Sequence, residues 1–324
     1  MPHWALGRLM DLAMDLAGMT GSTSPAVSRK TIVIMAGDHG VVAERVSGYP
    51  QEVTRQMVSN FIRGGAGINI LARLNGASVV VVDMGVAGDL SALARAGGFV
   101  SRPIAAGAGN IARGPAMTGG QAVRAVEAGI EIVDDLAEAV DVFGAGDMGI
   151  GNTTPSAAVA AAIAGVPAAD VTGRGTGLDD ERLAAKVAVV QRALEVNGPD
   201  PSDGLDVLAK VGGFEIGGIA GVILGAAARR KPVVIDGFIS TAGALIAQAI
   251  APTAADYIVA AHRSAEPGHA VMLRKLDKEP LLSLGMRLGE GTGAALAMNL
   301  VEAAAGILTG ISTFDEAAVS RASR

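Results

Sequence analysis

The chain has 324 residues, 50% hydrophobic and 18% charged, which is enough apolar material for a large core arranged as one large domain or two smaller ones. Lys and Arg number 26 against 32 Asp and Glu, a formal charge of −6 with no long basic run. The electrostatic footprint of a nucleic-acid binder is therefore missing, and small anions must be caught locally. There is no cysteine, which excludes disulfides, thiolate metal sites and cysteine nucleophiles and suits a cytosolic setting.

The opening stretch MPHWALGRLMDLAMDLAGM sets Arg8, Asp11 and Asp15 inside its apolar pattern, which predicts an amphipathic helix rather than a signal peptide. After it, short Val/Ile-rich runs alternate with longer Ala/Leu-rich runs, the pattern of strand, crossover helix, strand. Strands are predicted at 31–37, 77–85, 140–146, 232–237 and 256–262. Each is continuously apolar rather than alternating, so the expected fold class is α/β with a parallel sheet buried on both faces. Helices are predicted at 51–63, 68–74, 119–138, 155–163, 179–194, 214–228, 242–250 and 291–308. The uncharged run 237–255 is nearly long enough to span a bilayer, but Ser240, Thr241, Gln248, Pro252 and Thr253 and its Ala/Gly content predict no membrane segment. Ligands of an open parallel sheet bind outside the carboxyl ends of the strands, so the Gly-rich corners there are where function is expected. Most of the 45 glycines are assigned to tight packing of helices.

Six segments carry candidate chemistry. In AGDHGVV, Asp38 and His39 fit a metal ligand or acid/base pair, or a turn in which Asp38 caps backbone amides. GAGDMGIGNTTPSAA (144–158) runs from strand through a Gly-rich turn into a helix, presenting amides and a positive helix end to a phosphate. TGRGTGLDDERLAAK (172–186) offers a second amide nest, with Lys186 two turns into its helix as either a phosphate partner or a solvated surface charge. VVIDGFISTAG imitates the loop that binds phosphoribosyl pyrophosphate, with Gly237 in place of its second acid. AHRSAEPGH gathers His262, Arg263, Ser264, Glu266 and His269, and MRLGEGTGAAL sets Glu290 between glycines just before the last helix. There Glu290 fits either a cap of that helix or a general base beside a flat ligand.

Taken together, GDHGV, YPQEVT, NFIRGGAGINILAR, GDMGIGNTT, GRGTG, GGFEIGGIAG, DGFISTAG, HRSAEPGH and RLGEGTGAAL resemble, in order and spacing, the nicotinate-nucleotide:dimethylbenzimidazole phosphoribosyltransferases of cobalamin assembly. The resemblance implies a three-layer, Rossmann-like parallel sheet of about six strands. It also implies a smaller helical domain from both chain ends, 1–28 with 265–324, beside a nucleotide-binding domain at 29–264. It further implies a cytoplasmic homodimer that works without metal or organic cofactor on nicotinate mononucleotide and a benzimidazole base. Glu290 takes the place of the family's catalytic base. Asp147, Met148, Gly149, Ile150, Gly151, Asn152, Thr153, Gly175, Lys186, Ser264, Arg287, Leu288 and Gly289 match its substrate-binding positions. Two departures stand out: Asp147 replaces the family's usual Glu, and fewer residues precede the first helix. With only 3% aromatic residues, the base slot is expected to be walled mainly by aliphatic groups such as Met and Leu.

Overall fold

Strand β1 (Lys30–Gly37) is buried at every position and forms the centre of the sheet. The structure, a computed structural model, describes residues 4–93 and 95–320. Residues 1–3 of the predicted first helix, and 321–324 of the predicted helical tail, lie outside the described residues.

In chain order the elements are α1 (Arg8–Thr20), β1, α2 (Glu52–Arg63), α3 (Gly67–Leu74), β2 (Ala77–Gly85), β3 (Phe99–Ser101), α4 (Gly119–Leu136) and β4 (Val142–Met148). There follow α5 (Thr153–Ala164), α6 (Ala168–Val171), α7 (Asp180–Asn197), α8 (Gly204–Val211), α9 (Phe214–Ala228) and β5 (Val233–Ile235). The chain closes with α10 (Phe238–Ile250), β6 (Ile258–Ala260), α11 (Gly268–Lys275) and α12 (Thr292–Gly310). Among the described residues all six strands are parallel, in the order β3-β2-β1-β4-β5-β6. That order reverses between β1 and β4, and the helices cover both faces. The α/β class and the six-stranded parallel sheet are as expected.

Each sheet face has its own core. On one face, Val33, Met35, Phe143 and Ala145 meet the apolar sides of α4, α5, α9 and α10. On the other, Ile32, Ile34 and Val142 meet α1, α2, α3 and α12. Close helix packing accounts for part of the glycine content. A Cβ at Gly129 of α4 would lie 2.1 Å from the Gly218 carbonyl of α9, and one at Gly221 would lie 2.0 Å from the Val126 carbonyl.

Several predicted boundaries are corrected. β4 starts two residues later and runs on through Met148, while β5 and β6 shrink to three residues each, because only the stretch facing a neighbouring strand is hydrogen-bonded. β3, α6, α8 and α11 were not expected, and α10 begins at Phe238 rather than 242. The uncharged run 237–255 is mostly this α10, buried from Phe238 to Ala247, and the chain then turns at Pro252. α12 is long and apolar enough to cross a membrane by length and composition, and Ala294, Ala297, Met298 and Val301 place its inner face in the core.

Candidate active site

The reversal of strand order between β1 and β4 leaves a crevice at their carboxyl ends, the place where a doubly wound sheet binds ligands. The chain leaving β4 fills its floor. Gly149 crosses so close beneath the end of β1 that a Cβ there would lie 2.4 Å from the Gly37 carbonyl. Gly151 takes a φ of +90°, in the left-handed region that favours glycine, and turns the chain into α5. The Ile150 amide donates to Thr54 Oγ1 at 3.0 Å, which fixes this loop to α2. Below it, Asp38 takes its backbone-capping alternative, its Oδ2 accepting from the Ala87 amide at 2.8 Å. His39 Nε2 pairs with Glu215 Oε1 at 2.8 Å, both side chains buried. Burial works against the imidazolium, but the carboxylates of Glu215 and Asp38 outweigh it, so His39 is pushed above its ordinary value. Among the described residues no group of three or more His, Asp or Glu side chains is placed to hold a metal ion.

A cleft of about 580 Å³ opens above this floor. Asp147, Met148, Gly149, Ile150, Gly151, Asn152, Thr153, Gly175, Ser264, Arg287, Leu288, Gly289 and Glu290 all line it, so the structure brings together every expected site residue but one. The exception, Lys186, stands just behind the wall. Its ammonium donates to Thr153 Oγ1 at 2.7 Å and to the Gly173 carbonyl at 3.0 Å, and a Cβ at Gly175 would lie 3.2 Å from it. The solvated-surface alternative for Lys186 is overturned, because the residue is 1% exposed. Burial lowers its pKa to about 8, against the opposing field of Glu266.

The loop after β6 supplies the next wall. The Ser264 amide donates to His269 Nδ1 at 2.9 Å, so that nitrogen carries no proton. His269 Nε2–H therefore donates to Thr241 Oγ1 at 2.9 Å, and Thr241 passes its own hydrogen to the Gly237 carbonyl at 2.7 Å. Burial, with His262 and Arg263 nearby, presses His269 down to about 3, which keeps this chain of bonds neutral. Glu266 Oε1 accepts from the Gly175 amide at 3.0 Å, so the amide expected for phosphate is committed within the protein. Arg287 donates to the Gly175 carbonyl at 3.0 Å.

Glu290 lines the same cleft with a φ of +65° and is 6% exposed. The alternative in which it caps α12 is corrected. Its Oε2 accepts from the Ile68 amide at the start of α3, at 3.1 Å. α12 is instead capped by Asp236 of the DGFISTAG run, whose Oδ1 accepts from the Gly293 and Ala294 amides at 2.6 and 3.1 Å. Asp236 Oδ2 takes the Gly291 amide at 3.1 Å. Glu290 Oε1 has no hydrogen-bond partner among the described residues, and burial, aided by the charge of Asp236, raises its pKa despite the Ile68 bond. Asp147, bonded by Asn152 Nδ2 at 2.9 Å, is pushed up to about 8, by burial first and then by the nearby carboxylates of Asp236, Glu215 and Glu290.

The wall contains residues the sequence did not single out. Tyr49, Val53 and Met57 come from the turn before α2 and from α2 itself, and Phe238 and Ile239 from the start of α10. Met57, Met148 and Leu288 fit the expected Met and Leu lining, while Tyr49 and Phe238 add two aromatic rings to it. The YPQEVT run containing Tyr49 and Val53 was visible as a motif, but nothing in its spacing says that it folds over a cleft formed by segments far along the chain.

Comparison with known proteins agrees with this architecture. A family model described as phosphoribosyltransferase (DBI_PRT) matches residues 1–319. The chain is 64% identical over 321 residues to nicotinate-nucleotide–dimethylbenzimidazole phosphoribosyltransferase of Syntrophotalea carbinolica, covering 99% of this chain and 91% of the relative. It is 58% identical over 321 residues to the protein of the same name from Desulfotalea psychrophila, with 99% and 90% covered. A crystal structure of the enzyme of that name from Thermus thermophilus superimposes with a TM-score of 0.93 at 47% identity, over 99% of this chain and 95% of that one. With a family model matched along nearly its whole length and relatives this similar, the chain belongs to this phosphoribosyltransferase family.

Proposed function

We propose that this enzyme transfers the 5-phosphoribosyl group of nicotinate mononucleotide to 5,6-dimethylbenzimidazole, giving α-ribazole 5′-phosphate and nicotinate, in assembly of the cobalamin nucleotide loop. The observation that carries the reading is one cleft lined by two chemically different groups. One is the Gly-rich turn at the start of α5 with Lys186 behind it, which suits a phosphate. The other is a buried carboxylate with a free oxygen beside apolar walls, which suits a flat base that must lose a proton.

The chemistry follows from the substrates. In nicotinate mononucleotide C1′ is bonded to a cationic pyridine nitrogen, so the leaving group departs as a neutral ring and needs no acid. When one nitrogen of dimethylbenzimidazole attacks C1′ from the opposite face, the proton on its other nitrogen becomes acidic. Glu290 Oε1 accepts it, and the raised pKa brings the carboxylate closer to the operating range of a general base. Attack opposite the leaving group inverts C1′ to the α configuration. Holding both rings in line supplies the larger share, since well-oriented reactants gain about 7 to 11 kcal/mol.

A donor bearing pyrophosphate is the second enzymatic reading, and Asp236 speaks against it. Both of its oxygens are taken by amides of the α12 start, so it is not free to face ribose or a pyrophosphate-bound cation. Turnover of nicotinate mononucleotide is therefore expected to survive exhaustive chelation with EDTA. Activity lost in EDTA and restored by magnesium, with pyrophosphate as product, would transfer support to the second reading.

The cofactor-free reaction, a cytoplasmic location and a homodimer belong to the same proposal. Ile70 and Leu74 expose apolar surface on α3 that suits contact with a second copy. The smaller helical unit from residues 1–28 and 265–324 is part of it too. Support comes from the packing of α1 on α12 and from Arg8, which donates to the carbonyls of Glu279 and Pro280 at 2.7 Å each.

A further inference from the structure

An anion site does not ordinarily keep a carboxylate in its wall, yet Glu266 lines this cleft and is 7% exposed. Its Oε1 holds the Gly175 amide, and its backbone amide reaches Ser264 Oγ at 3.3 Å. Its Oε2 is buried without a hydrogen-bond partner. The turn is shaped around this group, for a Cβ at Gly173 would lie 1.8 Å from Oε2. Lys186 Nζ bonds the carbonyl of that same Gly173 and stands beside Gly175, so both neighbours of Glu266 are also neighbours of the ammonium.

We propose that Glu266 is a positioning residue for the mononucleotide: its carboxylate holds the 173–177 turn in place and keeps the buried Lys186 ammonium charged to receive the phosphate. The inference rests on the reading that Lys186 meets the phosphate, and it adds the group that makes a buried lysine usable there. Thr153 and the Gly173 carbonyl are neutral, and no carboxylate of the described residues lies within ion-pairing distance of Lys186. The other acids on the segments packed around it face away: Asp179 accepts from the Arg182 amide, Asp180 pairs with Arg174, and Asp170 and Glu181 are exposed, while the cations turn to other partners. Arg287 bonds the Gly175 carbonyl, Arg174 turns to Asp180 and the Leu178 carbonyl, and Arg182 turns to the carbonyls of Arg45 and Ser47. Glu266 is thus the acid whose field favours the charged amine, and burial opposes it. Loss of that field lets the ammonium give up its proton at lower pH, and a neutral amine loses its charge-assisted bond to phosphate.

The test is kcat/KM for nicotinate mononucleotide from about pH 6.5 to 9.5, which reports groups of the free enzyme, in the wild type, Glu266→Gln, Glu266→Asp and Lys186→Ala. Wild-type kcat/KM is expected to decline as pH rises through about 8. Glu266→Gln keeps the shape and an acceptor for Gly175 but no charge. Its decline is expected about one pH unit lower, leaving about a fivefold deficit at about pH 8 that grows toward about tenfold above about pH 9 and is carried by KM for the mononucleotide. Glu266→Asp, which keeps the charge, is expected to restore the position of the decline, and Lys186→Ala to remove it while raising KM about tenfold to a hundredfold. Melting temperatures check that each variant is folded; a Gln variant that fails to fold leaves the Asp variant as the arbiter, since a decline displaced despite retained charge would overturn the proposal. A Gln profile that superimposes on the wild type would overturn it as well. Tighter mononucleotide binding in the Gln variant would show instead that Glu266 repels phosphate. A decline that persists in Lys186→Ala without loss of affinity would show that the Lys186 reading itself had failed.

Discussion

Glu290 and Asp236 each serve a helix other than the one they precede in the chain. Glu290 precedes α12 but bonds the start of α3, while Asp236 ends the β5 run and holds the start of α12. The alternatives of structural anchor and base for Glu290 are therefore compatible, since Oε2 serves Ile68 and Oε1 remains free to take a proton. Glu290→Gln keeps an acceptor for Ile68 and is expected to fold and bind both substrates while turning over at least about a hundredfold more slowly. Near-normal turnover with a markedly earlier melt would make Glu290 a structural anchor alone, and Asp147 would be the next acid to try. Much at this scale was legible, because Lys186, Ser264 and Glu290 stand in short motifs whose residue types suit a phosphate or a proton. What was not legible was pairing across the chain. Glu266 meets Gly175 over 91 residues and Asp236 meets Gly293 over 57, and no local pattern records such partners.

At the scale of elements, long strongly apolar segments announced themselves and short ones did not. β2 and α9 match their predicted limits, because a continuous Val run and a Gly/Ala/Ile run bounded by glycines and polar residues leave little choice. β3 has three residues on the edge of the sheet and becomes a strand only because β2 lies beside it. α8 did carry a signal, Asp203, whose Oδ1 accepts from the Leu205 and Asp206 amides, before Leu205, Val207, Leu208 and Val211 at helical spacing. α10 starts earlier than expected because Ser240 and Thr241, polar in sequence, turn inward to bond the Ala145 and Gly237 carbonyls. The cap of α12 gives the prediction proper to this scale. Asp236→Ala leaves three backbone amides without their acceptor inside the protein, and is expected to cost about 2 kcal/mol or more in urea unfolding. A change below about 0.5 kcal/mol, the low end for loss of a cap, would mean that α12 is held by its apolar face alone.

For the whole molecule, the strand order carries the argument. Parallel strands from apolar runs, helices between them and Gly-rich corners were all readable, and they place the corners after Gly37, Gly146 and His262 at one end of the sheet. The order β3-β2-β1-β4-β5-β6 was not readable, since it depends on which side of β1 each crossover passes. It is this order that opens a crevice between β1 and β4 and lets one cleft hold both a turn suited to phosphate and a proton acceptor. The central claim is therefore that two substrates meet there and exchange a phosphoribosyl group. The most direct measurement is nicotinate release from nicotinate mononucleotide, with and without dimethylbenzimidazole, with the ribosylated product collected and its C1′ configuration determined by NMR. The account predicts release that depends on the benzimidazole, with one α-ribazole 5′-phosphate formed per nicotinate; equal release without the benzimidazole, or a β-configured product, would contradict it.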